Sequence, residues 1–217
     1  MLIAVVNESS TAARNGDLVS ALRPLGHTVI NAGMRSSDDP PLNYIHIAFL
    51  GGLLLNTSRA DYVVGGCGTG QGFFNAVVQY PNVSCGLIAE PLDAWLFARV
   101  NAGNCASFRL NQAYGWGAPV NLRLMAENLF AQASELGYPP ERVEVQREGR
   151  AMLAALSACC HRTMAEIVHD MDARVVDPVL SFPGVWELLD VGTLSDRNLA
   201  TVLESRHDDP GAHPNQL

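Results

Sequence analysis

One stretch of the chain sets a nucleophile among glycines. Residues 62–72 read Tyr-Val-Val-Gly-Gly-Cys-Gly-Thr-Gly-Gln-Gly. Glycines let backbone N–H groups turn toward an anion and let it come close. Cys67 and Thr69 bring a thiol and a hydroxyl to the same place, so the loop suits proton transfer on whatever it holds. A helix N-terminus also favours a thiolate over a thiol. Glu8 offers a carboxylate in a polar loop, and His46 lies in an apolar segment, where packing and facing a ligand are both open readings. Asn75 falls one turn beyond the glycines and either faces the ligand or caps locally. Arg109 and Arg123 are further candidates for phosphate charge. Arg142, Arg147 and Arg150 follow a Pro-Pro break. They are either a solvated helix start or, because cations there oppose the helix dipole, a site for an anion.

Two other glycine loops are excluded. A Walker loop needs Gly-Lys-Ser/Thr, and the chain has no lysine: all 14 basic residues are arginine. The same absence excludes Schiff-base chemistry. A dinucleotide fingerprint needs Gly-x-Gly-x-x-Gly after the first strand, whereas Gly68, Gly70 and Gly72 are evenly spaced after the third.

The elements that must position these residues alternate. Apolar runs at 2–6, 27–30, 62–66 and 84–88, with a shorter one at 104–108, predict buried strands. Between them, helices are predicted through 18–22, over 44–55, after the glycine loop and over 91–101, Pro91 suiting a first turn. Leu122, Met125, Ala126, Leu129, Phe130 and Ala133 form the stripe of a helix begun near Pro119. Such alternation implies an α/β fold with a parallel sheet covered on both faces. Ligands then bind beyond the carboxyl ends of the strands, where residues 7–10, the glycine loop and 89–93 all fall. The pattern changes at Gly137. Residues 1–136 read as the α/β domain and 137–217 as a mostly helical extension, packed on the first domain or on a partner subunit. The spacing of Leu153, Leu156, Cys160, Met164, Ile167 and Met171 predicts one long helix over about 148–171, and a last helix is predicted over 195–205. The polar end from Arg206 to Leu217 is expected to be mobile.

Composition bounds the setting. A chain of 217 residues, 48% hydrophobic, can bury a substantial core. The net charge of −8 argues against nucleic-acid binding. No apolar run reaches membrane-spanning length, and the start reads as a strand rather than a signal peptide. Five cysteines without framework spacing suggest a reduced, cytoplasmic setting. Cys159 and Cys160 are adjacent, about 100° apart on a helix, so Cys159-Cys160-His161 is not read as a metal site.

Cys67-Gly68-Thr69-Gly70-x-Gly72 after a strand, then Ala89-Glu90-Pro91 and Asn101-x-x-Asn104, resembles the type-B ribose-5-phosphate isomerase and galactose-6-phosphate isomerase family. Tyr44-x-His46-x-Ala48 upstream and Arg142-Val143-Glu144 downstream are also similar to that family, and the likeness spans roughly residues 1–148. It implies a three-layer α/β/α Rossmann-like sandwich that forms homodimers or tetramers with shared active sites. It implies interconversion of aldose and ketose phosphates without metal or cofactor. Carried over, Cys67 is the base, assisted by Thr69. Gly68, Gly70, Gln71 and Gly72 belong to the loop that holds the enediolate. By the resemblance Arg142 contacts phosphate in the neighbouring subunit's site, and Glu8, Ser9, His46, Asn75 and Asn101 are expected to contact substrate. The chain differs from the family in three places. Glu8-Ser9 stands for Asp-His, Val78-Gln79 for Asn-Lys, and Val100-Asn101-Ala102 for His-Asn-Asp. The lost histidine is associated with opening the furanose ring. Its absence points to a substrate that has no such ring, such as a tetrose phosphate. The rival expectation is a phosphate- or nucleotide-binding module that has kept the loop and lost the chemistry.

Overall fold

The structure is a computed structural model that describes residues 1–131 and 136–211. Ala133, expected in the stripe of the fifth helix, and residues 212–217 of the polar tail lie outside the described residues. Five strands form one parallel sheet: β1 Leu2–Val6, β2 Thr28–Asn31, β3 Tyr62–Cys67, β4 Cys85–Ile88 and β5 Cys105–Arg109, in the order β2-β1-β3-β5-β4. The order reverses between β1 and β3, so the crevice at their carboxyl ends is the switch point where such folds bind ligands. Glu8 follows β1 and Cys67 ends β3, one on each side of it.

The strands alternate in the face they present. Ile3, Val5, Tyr62 and Val64 pack with α1 (Asn15–Leu22), α4 (Pro91–Leu96) and α5 (Ala118–Phe130). Ala4, Val6, Val63 and Cys67 pack on the other face, under α2 (Tyr44–Asn56) and α3 (Gln71–Val77). This is the expected α/β/α sandwich. The helix predicted over 91–101 runs as α4 and then a π-helical turn over Phe97–Asn101.

The C-terminal region departs from expectation. The single helix predicted over 148–171 is two: α6 (Val143–Cys160) and α7 (Met164–Asp170). Thr163 separates them. Its side chain accepts the N–H of Glu166, and the Glu166 carboxylate accepts the Thr163 N–H at 2.9 Å. This capping box starts a new helix. Two helices unforeseen in the sequence follow, α8 (Ala173–Leu180) and α9 (Val185–Leu189), and then α10 (Arg197–Asp208). Helices α7 to α10 pack over α2 and share its core through Val168, Val176, Leu189 and Leu203. Ile47 to Leu54 of α2 are therefore all buried, and a helix closed in on both sides has no use for a polar face. Arg206 of α10 is only 2% exposed, donates to the Met171 carbonyl at 2.9 Å and stands 3.9 Å from Asp177. Burial draws its pKa below the ordinary arginine value.

Helix α6 is built differently: none of its residues is buried. Val145, Met152, Leu153 and Leu156 are exposed, and two side chains link it to the sandwich: Arg150 donates to the Val100 carbonyl at 2.9 Å, and Ser157 Oγ accepts the Asn82 N–H at 3.1 Å. Among the described residues no helix is long and apolar enough to cross a membrane.

Candidate active site

The geometry of β3 fixes Cys67. Residue alternation aims its side chain at the α2–α3 face, and it is 8% exposed. The chain then turns: the Gly70 N–H donates to the Cys67 carbonyl at 3.1 Å, and Gly70 takes φ +75°, a value that suits glycine. Neighbouring strand β5 holds the loop from the side. Ser107 Oγ donates to the Gly70 carbonyl at 2.7 Å, and the Asn111 and Gln112 N–H groups donate to the Gly68 carbonyl at 3.0 and 2.9 Å. Among the described residues the N–H groups of Gly68 and Thr69 meet no protein acceptor. The Thr69 hydroxyl accepts the Gln71 N–H at 3.3 Å, which leaves its own proton to donate elsewhere. Thr69 and Gln71 are exposed.

Gly72 lets the Tyr44 ring come close beside the thiol. A Cβ there would lie 3.2 Å from the Tyr44 ring and 3.5 Å from Cys67 Sγ. Tyr44 opens α2 and is 44% exposed. A hydroxyl-bearing ring thus stands beside the candidate base. Tyr44 belongs to the upstream motif but has no role predicted from sequence; its place at the first turn of a helix starting on the carboxyl edge is the available signal.

On the β1 side, Glu8 is 6% exposed and its carboxylate accepts the Ser10 N–H at 2.9 Å and the Ser10 hydroxyl. Asn111 Nδ2 donates to the Ser10 carbonyl at 2.8 Å, and a Cβ on Gly68 would lie 3.5 Å from that amide. Ser10 and Asn111, both missed in the sequence, therefore join the loop after β1 to the glycine loop. Ser9 Oγ donates to the Leu42 carbonyl at 2.7 Å, tying the same loop to the segment before α2. His46 is held by protein on both ring nitrogens. Nδ1 accepts the Asn43 N–H at 3.1 Å, and Nε2 is 2.9 Å from the Arg174 carbonyl of α8. Asn75 is exposed on α3.

Two of the expected residues lie elsewhere in the chain. Register pairs Val63 with Cys105 and Cys67 with Arg109. Asn101 precedes β5, so it sits at the amino edge, at least about 13 Å below the level of Cys67 at the usual rise per residue. Arg142 caps the exposed start of α6, whose later turns run beside that amino edge. Arg147 pairs with Glu144 at 2.7 Å, and Arg150 is engaged by Val100, so of the three cations only Arg142 meets no partner among the described residues. Arg109 stays on the carboxyl edge and lines a cavity of about 200 Å³ with Tyr114 and Asn121.

This fold is shared with sugar isomerases. Residues 3–130 match the ribose/galactose isomerase family, and the chain belongs to it. Among solved structures, a 4-deoxy-L-threo-5-hexosulose-uronate ketol-isomerase complexed with a tartrate is 32% identical, with TM-score 0.89, covering 96% of this chain and 100% of that one. A ribose-5-phosphate isomerase from Vibrio parahaemolyticus is 33% identical, with TM-score 0.88, covering 94% and 98%. A ribose 5-phosphate isomerase from Thermotoga maritima shares the fold at 19% identity and TM-score 0.55, covering 68% of this chain and 97% of its own. No curated protein sequence matches.

Proposed function

We propose that the chain interconverts an aldose and a ketose that carry a terminal anion, with Cys67 as the base. The carrying observation is the placement of Cys67 Sγ next to Gly72 and the Tyr44 ring, beside a loop with N–H groups that meet no acceptor among the described residues. In the aldose-to-ketose direction the thiolate takes the proton from C2. The electron pair moves into a C1–C2 double bond and charge develops on the carbonyl oxygen at C1. The Gly68 and Thr69 N–H groups face that oxygen, and one such donor is worth roughly 3–4 kcal/mol in the transition state. The thiol then returns the proton to C1, while Thr69 assists the exchange between the two oxygens. One base that reaches two adjacent carbons suffices for this chemistry.

A second copy completes the site in this reading. Asn101 and Arg142 lie away from Cys67 in their own chain, and a partner would bring them over the substrate, with Arg142 on the anion. Val100 cannot move a proton, so the substrate arrives open. The first candidate is a tetrose phosphate, which cannot close a furanose through its phosphorylated carbon. A hexosulose uronate is the second, favoured by the match over 96% of the chain to a ketol-isomerase of that name.

Exchange of the C2 proton with deuterated solvent tests the proposal across tetrose, pentose and hexose phosphates and the uronate. Exchange is expected with one of the open-chain substrates and not in Cys67→Ala. Faster turnover of ribose 5-phosphate than of erythrose 4-phosphate and the uronate would remove the open-chain preference. Binding without exchange anywhere would leave a binding module in its place.

A further inference from the structure

Among the described residues His46 hydrogen-bonds both to Asn43, which starts α2, and to Arg174 of the added helices. It is the third residue of α2, and with Asn43 it forms a reciprocal cap: Asn43 Oδ1 accepts the Ile45 and His46 N–H groups at 2.9 and 3.1 Å, and His46 Nδ1 accepts the Asn43 N–H. Nδ1 is thus an acceptor. The carbonyl of Arg174 can only accept, so Nε2 carries the ring proton and donates it there, at 2.9 Å.

That carbonyl is available for a reason written in the sequence. In α8 it would ordinarily accept the N–H four residues ahead, and that residue is Pro178, which has none. His46 supplies the missing donor from another layer of the molecule. Directly after Asn43 comes Tyr44, whose ring lies against Gly72 beside Cys67. The connection therefore runs from Pro178 to the Arg174 carbonyl, through His46 and Asn43, to a ring at the site. The family match ends at residue 130, so the outer end of this connection belongs to the layer that the family match does not include.

We infer that His46 is a positioning residue: it transmits the placement of the C-terminal helices to Tyr44, and so sets how that ring stands against Gly72 beside Cys67. The inference rests on Cys67 being the base. His46 touches protein on both nitrogens and acts through Tyr44.

The test uses the full chain with His46→Ala, His46→Gln, Pro178→Ala, Tyr44→Ala and the pair Tyr44→Ala/His46→Ala. It combines kinetics on the best substrate with amide hydrogen exchange. His46→Ala is expected to raise exchange over residues 44–47 and to lower kcat/KM, each roughly tenfold or more. Glutamine can accept from Asn43 and donate to Arg174, so His46→Gln restores both to within about threefold of wild type. Pro178→Ala offers the carbonyl a helical donor and loosens residues 44–47 in the same direction as His46→Ala. In the Tyr44→Ala background, His46→Ala costs no further activity beyond about twofold, because it acts through that ring. Additive losses, or a glutamine variant as impaired as alanine at wild-type melting temperature, would overturn the inference and assign the imidazole to the substrate. Unchanged exchange in His46→Ala overturns it whether or not any sugar is turned over. Retained turnover in Cys67→Ala, with the exchange pattern as expected, overturns the reading of Cys67 and leaves the mechanical connection intact.

Discussion

The chain beyond residue 136 contains two regions of opposite construction. Helices α7 to α10 bury Val168, Val176, Leu189 and Leu203 against α2, and behave as a further layer of the same core. Helix α6 buries nothing and turns Val145, Met152, Leu153 and Leu156 outward. The first region stands over the face that carries Cys67; the second runs beside the opposite edge of the sheet, with Asn101 near its anchor and Arg142 at its start. The difference teaches that one part of the extension is satisfied within the chain, while the other leaves an apolar surface exposed.

The strongest way to break this comparison is to disable both regions and mix them. Cys67→Ala is expected to lower turnover by about 10³-fold or more, and Arg142→Ala to lower kcat/KM by about 10²-fold. If sites form between copies, an equal mixture of the two variants after subunit exchange regains roughly a quarter of wild-type activity. No recovery would show that each site is built from one chain.

Stability separates the regions next. Leu203→Ala, in the shared core, is expected to cost about 2–5 kcal/mol in denaturant unfolding. Leu156→Ala on α6, measured at concentrations where copies separate, is expected to stay within about 0.5 kcal/mol. Equal losses would place α6 in the chain's own core.

Assembly sharpens the same point. Met152→Glu with Leu156→Glu puts charge on the outward face of α6. Sedimentation is expected to show a smaller species with unchanged helix content, because charges at the centre of an interface are strongly disfavoured. A smaller loss than in the shared core concerns the break between the regions: Thr163→Ala removes the cap of α7 and is expected to cost about 1 kcal/mol in thermal unfolding.

The sheet and the glycine loop were legible because the strands are short continuous apolar runs bounded by glycine, proline and polar residues. The two-region extension was not. The apolar spacing from Leu153 to Met171 stays in phase across the break, so periodicity alone joins α6 to α7, while the Thr163–Glu166 cap is a local signal that periodicity ignores. Pro178, Pro183 and Gly184 read as breakers, yet Pro178 lies inside α8 with its lost hydrogen bond made good by His46. At the site, Cys67 and the loop could be singled out because chemistry and conformation coincide there. Ser10, Asn111 and the position of Tyr44 were hidden, because they depend on which strand ends become neighbours, and the order β2-β1-β3-β5-β4 is not written in any local pattern. The uniform burial of Ile47 to Leu54 was the one early sign of another layer, since a helix on the outside of a sandwich would show a polar stripe.

That helix has a consequence for any attempt to shorten the chain. The part that matches the family, residues 3–130, ends before the layer that covers the outer side of α2. Cut there, the chain would present Phe49, Leu50, Leu53 and Leu54 of α2 without α7 to α10 over the helix, and a contiguous apolar patch of that kind drives self-association. A trimmed version would therefore be a sticky fragment prone to precipitate, not a smaller isomerase.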